Sequence, residues 1–215
     1  MKQNILLKHL SISAAAVLGL AALARADTPP SAPAPAAPAR SGLLGERYAT
    51  LSYSYAHLAD SPVNADSYRF AFNEPLNPGF DAVFAYDWSQ TRLFAGSRLN
   101  VQSLTGGVRA FSNNFAWGKP YVEAGLGYAW QRGFGGQDRS ILWGVAAGAE
   151  LQVARAVTVT PFVEYADAPD LAGSGAWTYG VKANYWVDGQ WAVTAGLDRD
   201  DDQNTSFTIG TNFRF

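Results

Sequence analysis

The strongest constraint on this chain is a period-two alternation of side-chain character, and it is cleanest at the C-terminus. In TSFTIGTNFRF, residues 205–215, Phe207, Ile209, Thr211, Phe213 and Phe215 fall on one side. Ser206, Thr208, Gly210, Asn212 and Arg214 fall on the other. Successive side chains of a strand point to opposite faces of a sheet, so the pattern specifies a strand with one apolar face and one small, polar face.

The same alternation runs back to about Arg47. It sets Trp191, Val193 and Leu197 against Thr194 and Asp198, and Trp177, Tyr179 and Val181 against Lys182 and Asn184. Val157, Val159 and Val163 oppose Thr158 and Glu164; Ile141, Trp143 and Val145 oppose Gly144, Gly148 and Glu150. Val122, Leu126 and Tyr128 oppose Glu123, Gly125 and Gly127, and Phe80, Phe84 and Tyr86 oppose Asp81 and Asp87. Tyr68, Phe70 and Phe72 oppose Arg69 and Asn73; Leu51, Tyr53 and Tyr55 oppose Thr50, Ser52 and Ser54. Residues 98–111 alternate less cleanly, with Leu104, Val108 and Ala110 set against Ser103, Thr105 and Arg109. This predicts ten strands, or eight if residues 67–88 are read differently.

The connections fit an up-and-down order. Asn77-Pro78-Gly79, Ala154-Arg155-Ala156 and Asp188-Gly189-Gln190 are turn signals, the last with an Asp-Gly pair. Longer polar connections over 59–66, 133–139, 168–176 and 200–204 alternate with them. Short turns at one end and longer loops at the other are expected of an outer-membrane barrel. Ser112–Gly118 is long for a turn and 200–204 short for a loop.

Alternation alone does not say which face meets water. Three features do. The polar faces concentrate glycine, at Gly125, Gly127, Gly144, Gly148, Gly180, Gly196 and Gly210. Glycine weakens a solvated strand but makes room for long neighbours inside a narrow barrel. Trp88, Trp130, Trp143, Trp177, Trp191, Phe213 and Phe215 fall near strand ends, as aromatic girdles at lipid–water interfaces do. The segments also approach the ~9–11 residues that a tilted strand needs to cross hydrocarbon. The predicted fold is all-β: a closed antiparallel up-and-down transmembrane β-barrel over residues 47–215.

Two segments precede it. Residues 1–26 read as a secretory signal peptide, with Lys2 and Lys8, an apolar run over 12–23, and Ala24-Arg25-Ala26 as the cleavage site. Residues 27–46 read as a Pro/Ala-rich disordered linker, with five prolines within 27–40. Removing Lys2, Lys8 and Arg25 from the 16 basic residues leaves 13 against 18 acidic, a net charge near −5. That argues against nucleic acid as a partner. The chain has no Cys, hence no disulfide or thiolate metal site.

PYVEAGLGYAW (Pro120–Trp130) resembles the fifth-strand motif of the opacity-type and OmpA/OmpX-like small outer-membrane proteins. The C-terminal TIGTNFRF resembles the terminal signal of that wider class, and GFDAVFAYDW (Gly79–Trp88) resembles an early strand. The resemblance implies an outer-membrane location and a C-terminal insertion signal at Ile209, Phe213 and Phe215 that is read by barrel-insertion machinery. It also implies lipid and lipopolysaccharide surroundings. The family usually has eight strands, and ten are counted here.

No catalytic, cofactor or metal site is expected. His57 is the one histidine after residue 26 and lacks the Asp-x-His or His/Ser spacing of barrel proteases and deacylases. The cluster Asp198, Asp200, Asp201 and Asp202 lacks EF-hand spacing. The informative residues are the charges on polar faces: Arg69, Asp81, Asp87, Arg109, Glu123, Glu150, Glu164, Lys182, Asp198 and Arg214. Enclosed, they either pair and fill the lumen of a monomeric surface protein or line a narrow, cation-preferring passage.

Overall fold

The computed structural model describes residues 42–59, 63–92, 98–133, 136–171 and 175–215. The predicted signal peptide, 1–26, and residues 27–41 of the predicted 27–46 linker lie outside the described residues.

Ten strands follow one another: β1 Tyr48–His57, β2 Asn64–Asn77, β3 Phe80–Arg92, β4 Arg98–Phe111 and β5 Lys119–Gly133. Then come β6 Gly136–Ala154, β7 Val157–Asp167, β8 Ala176–Trp186, β9 Trp191–Asp200 and β10 Thr205–Arg214. Each pairs antiparallel with its sequence neighbours, and β10 closes onto β1 with Tyr48 opposite Arg214 and His57 opposite Thr205. Closure gives backbone groups a partner on either side and leaves no edge strand. The ladder between β6 and β7 skips the residues around Pro161, which has no N–H to give.

The start of β1 and the end of β10 lie at one end, the terminal end, with the β2–β3, β4–β5, β6–β7 and β8–β9 connections. At this end Gly79 takes a φ of 139°, which a side chain would resist. The β8–β9 turn forms where the Asp-Gly pair predicts it, by another route. Gly189 is not at positive φ. Instead the Asp188 carboxylate accepts from the Gln190 and Trp191 N–H groups at 2.7 Å each. These bonds favour the ionised carboxylate and hold Asp188 below its ordinary value of 3.8. Its stabilising effect is therefore present above that value and fades as the pH falls through the lowered one. Asp188→Ala is expected to lower the urea midpoint of the folded barrel at neutral pH, and the gap from the unaltered chain should close in acid.

Two connections at the opposite end differ from the sequence reading. The polar stretch 133–139 is mostly strand: Arg132 pairs with Gln137 and Gly133 with Gly136. β2 likewise starts at Asn64, inside the predicted 59–66 loop. Polar composition marks where the chain leaves hydrocarbon, and the backbone ladder continues beyond that level.

The last part of the predicted linker is also built differently. Residues 42–46 form a turn, closed by Glu46 N–H donating to Leu43 O at 3.1 Å, and Leu44 is buried.

Candidate functional site: the lumen and its two mouths

Every polar face named above turns inward. Tyr48, Thr50 and Ser52 of β1, Arg69 of β2 and Asp87 of β3 line a central cavity of about 240 Å³. Arg109 of β4, Glu123 of β5 and Glu150 of β6 join them. Glu164 of β7, Lys182 of β8 and Asp198 of β9 line the same space. Asp81 and Arg214 sit at the end that carries the termini. Glycine admits the larger side chains: a Cβ on Gly148 would stand 2.7 Å from the Tyr121 hydroxyl.

Four of the charges are joined in two pairs across neighbouring strands. Arg109 Nε lies 2.5 Å from Glu123 Oε2, and its Nη1 donates to the Tyr48 hydroxyl at 3.2 Å. The Arg109 guanidinium also stands 5.4 Å from the Tyr121 ring centre. Arg69 Nη1 lies 3.4 Å from Asp87 Oδ1. Lys182 Nζ stands 4.6 Å over the Phe162 ring and, although solvent-accessible, lines the cavity, so the space it touches is the lumen.

A neutral network completes the wall on the other side. Asn212 Nδ2 donates to Asn184 Oδ1 at 3.0 Å and to Thr194 Oγ1 at 2.6 Å. Thr50 Oγ1 donates to Asn212 Oδ1 at 2.6 Å. The choice of site residues by charge leaves out these neutral side chains, together with Tyr48 and Tyr121, and it leaves out Lys119 because that residue lies at the very start of its strand. Their parity already placed them on the polar faces.

Three of the predicted lumen charges serve the mouth at the terminal end. The turn 42–46 crosses that mouth and makes five hydrogen bonds to side chains of the wall. Leu43 N–H donates to Glu150 Oε2 at 2.6 Å and Gly45 N–H to Asp81 Oδ2 at 3.0 Å. Lys119 Nζ donates to Leu44 O at 2.7 Å and Asn73 Nδ2 to Glu46 O at 2.8 Å. Arg214 donates to Gly42 O and lies 3.7 Å from the Glu46 carboxylate. Leu43 and Leu44 line the cavity floor.

Apolar side chains gather toward the other mouth among the described residues. Leu58, Leu99 and Leu142 are buried there, and Leu142 packs with Ala129, Ala168 and Leu171. The 168–171 segment is fixed by Asp170 N–H donating to Ser140 Oγ at 3.1 Å. The acidic loop turns on itself: Asp200 accepts from Asn204 N–H at 2.9 Å and Nδ2 at 2.8 Å. His57 Nδ1 is 3.0 Å from Asn64 Oδ1 on the exposed rim.

The outer wall is the reverse of the lumen. Leu51, Leu104, Val122, Leu126, Ile141, Val193 and Leu197 are each more than half exposed. A continuous belt of exposed aliphatic and aromatic side chains around a closed barrel is stable against hydrocarbon and not against water. The chain is a transmembrane β-barrel. Aromatic clusters sit toward its rims: Tyr53, Tyr68 and Trp88 at one, and Trp191, Phe213, Phe215 and Phe72 at the other.

No family model and no curated protein matches the sequence. Solved structures of similar shape include Neisserial surface protein A, 14% identical at a TM-score of 0.46, covering 79% of this chain and 96% of that one. Ail of Yersinia pestis is 12% identical at 0.38, covering 79% and 97%. The KdgM porin is 12% identical at 0.44, covering 77% and 99%. A surface protein, an attachment protein and a porin differ in role, so the likeness is one of fold.

Proposed function

We propose that this barrel is a monomeric outer-membrane protein with a filled lumen, whose work is structural or done through its surface, without catalysis. The observation that carries this reading is the 42–46 turn hydrogen-bonded across one mouth, supported by the burial of Leu58, Leu99, Leu142 and Leu171 toward the other. Between them the Arg69–Asp87 and Arg109–Glu123 pairs lie along the wall, and their side chains take up part of the lumen. In this reading residues 1–26 direct export and are removed. The terminal strand, with Ile209, Phe213 and Phe215 outward, is the signal read during insertion, and the termini face the periplasm.

The test is conductance. The protein reconstituted in planar bilayers is expected to stay silent. Stable, discrete openings would overturn the filled-lumen reading. They would favour a narrow cation-preferring channel, since Asp87, Glu123, Glu150, Glu164 and Asp198 outnumber Arg69, Arg109 and Lys182 around the cavity.

A further inference from the structure

The outer wall of β4–β6 is unlike the rest of the barrel at the rim away from the termini. Arg98 opens β4, Arg132 lies near the end of β5, and Arg139 lies near the start of β6. All three alternate with lumen residues, Leu99, Gln131 and Ser140, so all three point outward, and all three are exposed. Register gathers them. Arg139 stands opposite Trp130, two residues below Arg132, and Arg132 stands opposite Asn100, two residues from Arg98. Neighbouring strands lie ~4.8 Å apart and two residues along a strand span ~6.8 Å, so the three guanidinium groups share one small patch. None of them makes an ion pair with a carboxylate among the described residues.

Directly below, toward the membrane centre, the same wall carries a shallow, open depression. An apolar groove of about 880 Å³ is lined by Phe84 and Leu104 on one side and by Leu126 and Trp143 on the other, with Gly106 and Ala124 between them. Small residues between large ones leave room for chains to lie against the strands. On the opposite wall, by contrast, the outward Arg199 is engaged by Gln203 at 3.2 Å.

We infer that the β3–β6 wall is a binding site for a phosphorylated, multiply acylated glycolipid of the outer leaflet. Arg98, Arg132 and Arg139 take its phosphates and the groove beneath takes its acyl chains. Three unpaired guanidinium groups at the water–hydrocarbon boundary are matched by an anion carrying more than one phosphate. Trp130 sits at the depth of the sugar, where an indole is favoured. A simple annular phospholipid would use the groove without needing three cations. The inference rests on the outer wall being lipid-facing and on the proposed orientation with the terminal end toward the periplasm, and is independent of whether the lumen conducts.

The experiment is a titration of the purified full-length barrel in detergent micelles with bisphosphorylated hexa-acyl lipid A, read by native mass spectrometry. The Arg98→Gln/Arg132→Gln/Arg139→Gln variant is expected to bind at least roughly tenfold more weakly, the loss of a few charge-assisted contacts. Arg199→Gln is expected to bind as the unaltered chain does. Lipid A stripped of its phosphates should bind the unaltered chain as weakly as lipid A binds the triple variant. Unchanged binding by the triple variant, equal binding of the phosphate-free lipid, or an equal loss with Arg199→Gln would each overturn the site. Heat-dependent gel migration reports folding separately, so a failure of the barrel reading is distinguishable from a failure of the site. Should the triple variant not fold, the three single Gln variants carry the same test, with smaller losses expected at each position.

Discussion

The Arg109→Met barrel is expected to unfold in urea with a free energy about 3–5 kcal/mol below that of the unaltered chain. The reason lies in what the substitution leaves behind. Glu123 is 6% exposed and Arg109 14%, so removing the guanidinium strands a carboxylate inside the barrel wall. The Tyr48 hydroxyl loses a partner in the same step, an added cost of about 1 kcal/mol or more. Replacing both members, as Arg109→Met/Glu123→Leu, should recover much of the loss, because two apolar side chains leave no charge unpaired. Urea titrations of the two variants in the same micelles decide the matter. If the single variant cost less than ~1 kcal/mol, the pair would be screened as surface pairs are. The lumen would then be an aqueous space rather than a filled one.

That result bears on how much of this protein could be read from its residues. Which residues share a face follows from parity, since one step along a strand reverses the face and lipid tolerates no mistake in it. The residues enclosed around the cavity, from Arg69 to Asp198, were legible once the glycine-rich polar faces and the aromatic strand ends said which face is enclosed. Two regions resisted for one physical reason: the rule of polar-in and apolar-out holds only across the hydrocarbon. In β4 the outer third reverses it. Leu99 and Val101 turn inward to fill the mouth while Asn100 and Gln102 face out above the apolar belt. That reversal is what blurred the alternation over 98–111. The same change of surroundings made 133–139 look like a loop when its backbone remains paired.

The turn at 42–46 escaped for a different reason. Its contacts are made by backbone groups of a short Gly- and Leu-containing segment, which carry no periodic signal. Its partners, Glu150, Asp81 and Arg214, are distant in sequence. Pro-rich sequence upstream drew the linker boundary too far along. The charges themselves were visible as lumen residues, but their task of clasping the chain's own N-terminal segment was not.

Deleting residues 27–46 is therefore expected to open one mouth of the barrel and leave the other shut. The chain has no cysteine, so a single one introduced at a lumen position is labelled alone. Ala71 is suited to this: it lines the cavity and is a small change from Cys. In the otherwise unaltered chain, Ala71→Cys should react slowly with a charged, membrane-impermeant thiol reagent, because Leu43 and Leu44 close the floor of the cavity. In the deletion it should react at least roughly tenfold faster, which corresponds to losing about 1.4 kcal/mol or more of closure. Conductance should remain absent, because the cluster of Leu142 and Leu171 at the far end is untouched. An unchanged labelling rate would show that the turn does not control entry. Openings in the deletion would show that the far mouth is passable, and the turn would then be the gate of a channel. The two measurements together separate a plug that completes a solid barrel from one that guards a pore, because the first seals a space already blocked at its other end.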